Sequence, residues 1–347
     1  MAAKKKATGQ DDVLLVGVDL GTARSAVCAS NGVRAWDQSL VGWPRDAVAR
    51  KLVKSDVVFG SDCLRHRLAL DVHRPLENGV IHTGTDLSEE AVHALAGHLM
   101  SLARPQSGQP VRAVIGAPAE ASAFNKQLLR DAFSELVDAC MIVSEPFSVA
   151  YGLDMLMDAL VIDIGAGTLD LCIMRGTAPT AADQRTLEQA GDYIDRQLAE
   201  ILGEQFPNAQ FTNTMLVRWK EEHGFVGSNG SRVPVTIPVR GKPTDHDISS
   251  PLRAACESIL PHLTEELTDL IASFDPEFQQ QVRENIILAG GCSQIRGLSD
   301  ALTECLEELG GGRVTTVTDP LYVGAEGALS MAQDTTDEDW TQLRKTR

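Results

Sequence analysis

The sequence has few of the features that mark secreted or membrane-spanning proteins. Its 347 residues include seven cysteines, an odd number, and no two of them form a CxxC pair. Scattered cysteines of this kind are typical of reduced thiols inside the cell. No run of about 18 apolar residues occurs, so we expect no membrane-spanning helix. The N-terminal segment MAAKKKATGQDD carries no apolar signal core, and we interpret residues 1–12 as a flexible tail of a cytoplasmic protein.

Basic residues are also scarce. The 31 Lys and Arg residues face 48 Asp and Glu residues, which gives a formal net charge of −17. This excess of negative charge argues against nucleic acid as a partner and against docking on anionic lipid. The histidines and cysteines lack the spacing of a metal site. A chain of this length with 43% hydrophobic residues is typical of a soluble protein with two domains.

Buried strands and amphipathic helices alternate along the chain, and the pattern begins twice. VLLVGVDL opens the first half and ALVIDIGAGTLDLCIM opens the second, and each passes into α/β units. The pattern predicts a hairpin at Asn31–Gly32 and helices over Leu87–Leu102, Asn125–Ala139 and Leu252–Phe274. In the polar C-terminal segment, Trp340 is expected to dock on the core or to serve a partner.

Each half opens on an acid followed by a turn that contains glycine. Glycine lets the backbone approach a ligand closely, and successive backbone N–H groups can bind phosphate oxygens. An acid beside phosphate requires a divalent cation between them, held through water as Mg²⁺ prefers. One such turn is often only a strand-end glycine, but two in matching places favour a shared ligand. The candidate phosphate-binding residues are Gly21, Thr22, Gly165, Gly167 and Thr168, and the candidate magnesium ligands are Asp19 and Asp163.

A third segment, ILAGGCSQIRGL, predicts a buried strand, a Gly-Gly turn and a helix. The glycines would let a base or a ribose–phosphate group lie against the backbone at the start of the helix. A tight strand-to-helix turn without a ligand explains this segment equally well.

Five segments, taken in order, resemble the actin, sugar-kinase and DnaK ATPase superfamily. They are DLGT as phosphate loop one, SEPFSVAYG as the first connecting helix, DIGAGTLD as phosphate loop two, LAGGCSQIRGL as the adenosine loop and YVGAEGAL as the second connecting helix. The resemblance implies an α/β actin-like ATPase fold, with two RNase H-like domains of four subdomains around a nucleotide cleft. Domain I would comprise residues 13–150 and 320–347, with subdomain IB at about 36–76. Domain II would comprise residues 151–319, with subdomain IIB at about 191–270.

Within this superfamily the chain is similar to bacterial actins of the MreB/MamK type. HRPLENGVI resembles the RPxxDGVI segment of MreB-type actins, and VGWPRDAVARKLV, VSEPFSVAYGLD and DIGAGTLDLC resemble the MamK-type actins of magnetosome chains. One departure is Leu169, which stands where the family more often has threonine.

The resemblance also implies a set of site residues, with ATP and Mg²⁺ as cofactors. Glu145 and Asp163 would be catalytic, with Glu145 positioning the attacking water. By itself, Glu145 could equally be a charge favoured at a helix N-terminus, and Lys220 with Glu221 could be an exposed surface pair. The implied nucleotide-binding residues are Asp19, Gly21, Thr22, Ala23, Gly165, Ala166, Gly167, Thr168, Gly191, Asp192, Lys220, Glu221, Gly290, Gly291, Cys292 and Ile295.

The expected function is that of a cytoskeletal ATPase that polymerises head-to-tail into open filaments. Such filaments would lie in the cytoplasm along the magnetosome chain and bind magnetosome-associated adaptor proteins, without inserting into a membrane. An MreB-like cell-shape filament, a small-molecule kinase and a non-hydrolysing scaffold are the alternatives. The KKK tail lacks an apolar anchor, no acid is suitably placed to deprotonate a sugar, and Glu145 with the two aspartates counts against a scaffold.

Overall fold

The computed structural model describes residues 13–81, 86–228 and 230–345, so the N-terminal tail predicted over residues 1–12 lies outside the described residues. The chain divides into two compact units. Unit 1 comprises residues 1–154 and 321–347, and unit 2 comprises residues 155–320.

The strands, numbered in chain order, are β1 Leu14–Leu20, β2 Arg24–Ala29, β3 Arg34–Gln38, β4 Val41–Pro44, β5 Val58–Phe59, β6 Leu70–His73, β7 Leu76–Glu77, β8 Val80–Ile81, β9 Val111–Ala117, β10 Ala139–Ser144, β11 Met157–Ile164, β12 Leu169–Arg175, β13 Gln184–Leu187, β14 Pro234–Val239, β15 Lys242–Asp247, β16 Ile286–Ala289 and β17 Val314–Thr316. The helices are α1 Ala47–Val53, α2 Ser61–Arg65, α3 Asp86–Leu102, α4 Ala123–Ser134, α5 Glu145–Gly152, α6 Gly191–Gln205, α7 Asn213–His223, α8 Ser249–Glu257, α9 Leu260–Ala272, α10 Gln279–Glu284, α11 Leu298–Glu307, α12 Val323–Asp334 and α13 Asp337–Lys345.

Unit 1 is built on a five-stranded sheet in the order β10-β9-β1-β2-β3. β1, β9 and β10 run parallel, so their carboxyl ends lie at one edge. The antiparallel β1-β2-β3 arm contains the predicted Asn31–Gly32 hairpin, and the positive φ of 87° at Gly32 suits its tight turn. α3 and α4 cover one face of the sheet, while α5 and α12 pack on the other.

A smaller sheet in the order β5-β4-β6 follows β3 in unit 1, together with the short helices α1 and α2. Its buried centre contains Val58, Cys63 and Leu70. This separate cluster makes the segment a small lobe with its own packing.

Unit 2 repeats the plan of unit 1. Its sheet has the order β13-β12-β11-β16-β17, with β11, β16 and β17 parallel and β11, β12 and β13 antiparallel. α6, α8, α9 and α11 supply buried residues to its core. A strand, a turn and an antiparallel strand therefore open both sheets, as the repeated sequence pattern predicted.

Two helix predictions were wrong in their bounds. The helix expected over Leu252–Phe274 is two helices, α8 and α9, because Pro261 in the first turn of α9 has no N–H to bond to a preceding turn. The helix expected to reach Ala139 ends at Ser134. Ala139 instead begins β10, where parallel pairing with Arg112 places it in the sheet.

The C-terminal helix docks on unit 1. Trp340 is only 1% exposed and packs with Val114 and Met331, which confirms one of the two predictions for this segment. Within the described ranges, none of the helices combines the length and the apolar character that crossing a bilayer requires.

Candidate functional site

The turn of loop one, residues 21–23, joins β1 to β2. Buried serine hydroxyls support this turn. A Cβ at Gly21 would lie 2.5 Å from the Arg24 carbonyl oxygen, so the turn requires glycine. Ser39 Oγ donates to the Gly21 carbonyl oxygen at 2.6 Å and lies 2.8 Å from Ser25 Oγ. Sequence reasoning missed both serines, because nothing local marks a buried hydroxyl as the support of a distant loop.

Thr22 is buried, and its Oγ1 accepts a hydrogen bond from the Gly79 N–H at 3.1 Å. A hydroxyl that accepts one bond keeps its own hydrogen to donate. Thr22 can therefore bind a phosphate oxygen without losing its contact to Gly79.

Asp19 and Glu145 come together at the carboxyl edge of the unit 1 sheet. Gly116 of β9 pairs with Asp19 on one side and with Val143 on the other. A Cβ built on Gly116 would lie 3.2 Å from Glu145 Cγ and 3.9 Å from Asp19 Cα. The absence of this Cβ therefore makes room for the Glu145 side chain. Glu145 itself is the first residue of α5, which has Pro146 in its first turn. Sequence reasoning missed Gly116, although a glycine near the end of a buried strand was the available signal.

Loop two, residues 165–168, joins β11 to β12 in unit 2. The Gly165 N–H donates to the Thr168 carbonyl oxygen at 2.9 Å and closes the turn. Thr168 is buried. Leu169, which departs from the family pattern, is the fully buried first residue of β12 and pairs with Ile164. This position therefore serves the core, and an apolar side chain suits it.

The first turn of α6 is hydrogen bonded to loop two. The Gly191 N–H donates to the Gly165 carbonyl oxygen at 3.1 Å, and the Asp192 N–H donates to the Ala166 carbonyl oxygen at 2.7 Å. The structure thus brings four of the predicted residues into one backbone unit.

The adenosine-loop segment begins within β16, whose last residue, Ala289, pairs with Asp163. Gly290 has a φ of 78°, and a Cβ there would overlap Asp163 Oδ1 and the Ile164 carbonyl oxygen, so this position requires glycine. Gly291 has open space where a Cβ would be.

Cys292 and Ile295 lie in the core of unit 2, so only their backbone groups are available to a ligand. Burial raises the pKa of the Cys292 thiol. That thiol donates to the Gly165 carbonyl oxygen, with an Sγ–O distance of 3.5 Å.

Lys220 is not part of an exposed surface pair, so that alternative is wrong. It is 7% exposed, and its Nζ donates to Asp195 Oδ2 at 2.7 Å and to the Gly191 carbonyl oxygen at 2.6 Å. The next residue, Glu221, is exposed. Sequence reasoning missed Asp195. The available signal was an acid at core spacing in α6, next to the buried Ile194.

Asp19 and Asp163 each lie near the carboxyl end of a strand in their own unit. Within the parts of the chain that the structure describes, no three His, Cys, Asp or Glu side chains cluster as a metal cage. Burial raises the pKa of Asp19 to about 6. A nearby divalent cation would favour the charged carboxylate and so lower this pKa. Carboxylate oxygens are the ligands that Mg²⁺ prefers, so the chemistry of each aspartate suits this ion.

Comparison with known proteins places this geometry in a family. The sequence matches the family model described as MreB/Mbl protein over residues 14–339. It is 39% identical over 330 residues to the actin-like protein MamK of Paramagnetospirillum magneticum, which covers 95% of each chain. The MamK double helical filament structure superposes with a TM-score of 0.92 at 39% identity, covering 93% of this chain and 100% of that one. A non-polymerising MamK mutant bound to AMPPNP gives a TM-score of 0.72 at 39% identity, over 93% of this chain and 99% of that one.

These matches define the fold as actin-like, which confirms the predicted fold class. The chain belongs to the MreB/Mbl family, and the predicted resemblance to actins of the MreB/MamK type is confirmed.

Proposed function

We propose that this chain binds ATP with Mg²⁺ and hydrolyses it to ADP and phosphate. The observation that carries the proposal is the pair of acid-and-glycine turns, each placed where a strand of its sheet ends. A MamK relative of known structure binds AMPPNP, an ATP analogue, which supports the same ligand class here.

In this proposal loop one and loop two bind the phosphates of one ATP through backbone N–H groups, with Thr22 and Thr168 adding hydroxyl donors. Asp19 and Asp163 would hold a magnesium ion through water. When bound, this ion neutralises negative charge on the phosphates. Gly191 and Asp192 at the start of α6, together with the backbone of residues 290–295, contact the nucleoside. Glu221, which is exposed, would contact the ribose or the base.

Glu145 is the proposed catalytic residue. Its stem lies over Gly116 beside Asp19, where the carboxylate positions water for attack on the γ-phosphorus. Attack forms a bond from the water oxygen to phosphorus and breaks the bond to the β,γ-bridging oxygen. Asp163, the second proposed catalytic residue, would help to hold the magnesium ion.

The test of hydrolysis is Glu145→Ala, with the exposed helix-end variant Glu135→Ala as its control. We expect Glu145→Ala to bind ATP as the unmodified chain does and to release almost no phosphate, whereas Glu135→Ala releases phosphate normally. Equal phosphate release by both variants would show that Glu145 is not a catalytic residue.

We further propose that copies of the chain associate head-to-tail into filaments when ATP is bound. A contact between two different faces repeats without closing, which produces an open polymer. The similarity to the MamK filament at a TM-score of 0.92 supports this.

In the cell, we propose that the filaments lie along magnetosome chains and bind adaptor proteins. This proposal depends on the similarity to MamK over 95% of the chain. A fluorescently tagged copy in a magnetosome-forming host should form a line along the magnetosomes, and diffuse fluorescence would contradict this role.

A further inference from the structure

A buried ion pair in unit 2 contains Lys220, for which the resemblance implies a contact with the nucleotide. Lys220 on α7 and Asp195 on α6 have side chains that are 7% and 3% exposed, and their charged groups are 2.7 Å apart. Such pairs are weak contributors to stability, because removing two charges from water offsets their attraction. A buried ion pair is therefore more informative about geometry than about stability.

Hydrogen bonds connect this pair to loop two. Lys220 Nζ donates to the Gly191 carbonyl oxygen at 2.6 Å. The Gly191 N–H in turn donates to the Gly165 carbonyl oxygen at 3.1 Å. Lys220 thus holds Gly191 in place, and Gly191 in turn holds Gly165, the first glycine of loop two.

The same glycine is packed against the adenosine-loop segment. A Cβ at Gly191 would lie 3.0 Å from Cys292 Sγ and 3.1 Å from Ala166 Cα, and this thiol also donates to the Gly165 carbonyl oxygen. Loop two, the start of α6 and the segment after β16 therefore meet at Gly191, and Lys220 binds to the carbonyl oxygen of that residue.

We propose that Asp195 and Lys220 act together as positioning residues that set loop two against the segment after β16, and that Lys220 does not touch the nucleotide. Two of its three ammonium hydrogens are donated within the protein, to Asp195 and Gly191. Asp195 holds the ammonium in place with Oδ2, while its buried Oδ1 has no hydrogen-bond partner among the described residues. This inference rests on the proposed ATP binding.

The test compares Asp195→Asn, Lys220→Met and the double variant Asp195→Asn with Lys220→Met. Glu204→Gln, on the exposed face of the same helix, is the control. Each single variant should weaken ATP binding by roughly 10- to 100-fold, the loss that removal of supporting residues causes at metal sites. The double variant should be no weaker than the singles, because the two residues act as one unit. If Lys220→Met loses affinity while Asp195→Asn keeps it, Lys220 contacts the nucleotide directly and the inference fails.

The double variant Asp195→Leu with Lys220→Met distinguishes positioning from a purely structural role. It replaces both charges with apolar groups and should restore the unfolding temperature that the single variants lose. Positioning predicts that ATP binding stays weak in this variant, because the Gly191 carbonyl oxygen has lost its donor. Recovery of both the unfolding temperature and the affinity for ATP would overturn the inference.

Hydrogen exchange without nucleotide gives a readout that does not depend on ATP binding. The amides of Gly191 and Asp192 should exchange faster in Asp195→Asn than in Glu204→Gln. Unchanged exchange would contradict positioning. Failure of the unmodified chain to bind ATP would instead contradict the proposed function and leave the exchange test valid.

Discussion

Gly327 in the middle of α12 is the position where one added carbon should disturb catalysis from a distance. A Cβ there would overlap the Ser148 carbonyl oxygen of α5 and lie 2.6 Å from the Ser148 carbonyl carbon. Ordinary carbon contacts begin at about 3.5 Å, so α5 must move away by roughly 1 Å. Because α5 begins at Glu145, this movement carries the proposed catalytic carboxylate with it.

The expected effect of Gly327→Ala combines a gain and a loss. Alanine favours a helix over glycine by about 1 kcal/mol, while overpacking costs about 1–3 kcal/mol. We therefore expect an unfolding temperature that is unchanged or lower by several degrees, at roughly 2–4 °C per kcal/mol for a unit of this size. Phosphate release should fall by up to about 100-fold, since a displacement of 1 Å is enough for a loss of this order.

Gly97→Ala in α3 is the matched control, because no atom lies within 4 Å of its added Cβ. It should raise stability by about 0.5–1 kcal/mol and leave phosphate release unchanged. Differential scanning fluorimetry and a phosphate-release assay measure the two quantities. If Gly327→Ala and Gly97→Ala behave alike in both assays, α5 does not depend on close approach to α12, and the reasoning is refuted.

Three further predictions follow from single positions. Gly290→Ala should abolish ATP binding because of its overlap and its φ of 78°, whereas Gly291→Ala, which has open space, should bind ATP normally in an equilibrium binding assay. Trp340→Ala should lower the free energy of unfolding by about 3–5 kcal/mol in a denaturant titration, because it removes a fully packed ring. Hydrogen bonds led by that from the Ser249 hydroxyl lower the pKa of Asp247 to about 2, below its ordinary 3.8. Its contribution to stability is therefore complete above pH 4 and is lost as pH falls toward 2, and a pH series of unfolding temperatures on Asp247→Asn should lack that loss.

The sequence was sufficient to predict the parts of the fold that depend on local rules. Strands and turns such as β1 with Gly21, and β11 with Gly165, follow from apolar runs that end in an acid and a glycine. The Asn31–Gly32 hairpin follows from turn chemistry, and the structure has all of these elements.

The remaining features depend on contacts between distant residues, which no local pattern encodes. The Lys220–Asp195 pair joins two helices, and nothing near Lys220 indicates that its ammonium is buried. Cys292 looked like a ligand contact within its motif, but packing buries its side chain. Leu169 looked like an anomaly until the sheet placed it in the core.

The most direct test of the central claim is sedimentation of the full chain with ATP, with ADP and without nucleotide, with phosphate release followed in the same samples. ATP-driven self-association predicts that the chain pellets with ATP and releases phosphate slowly. Glu145→Ala should pellet with ATP and remain in the pellet, because its filaments keep their ATP. A chain that stays in the supernatant at every nucleotide and salt condition would contradict the account.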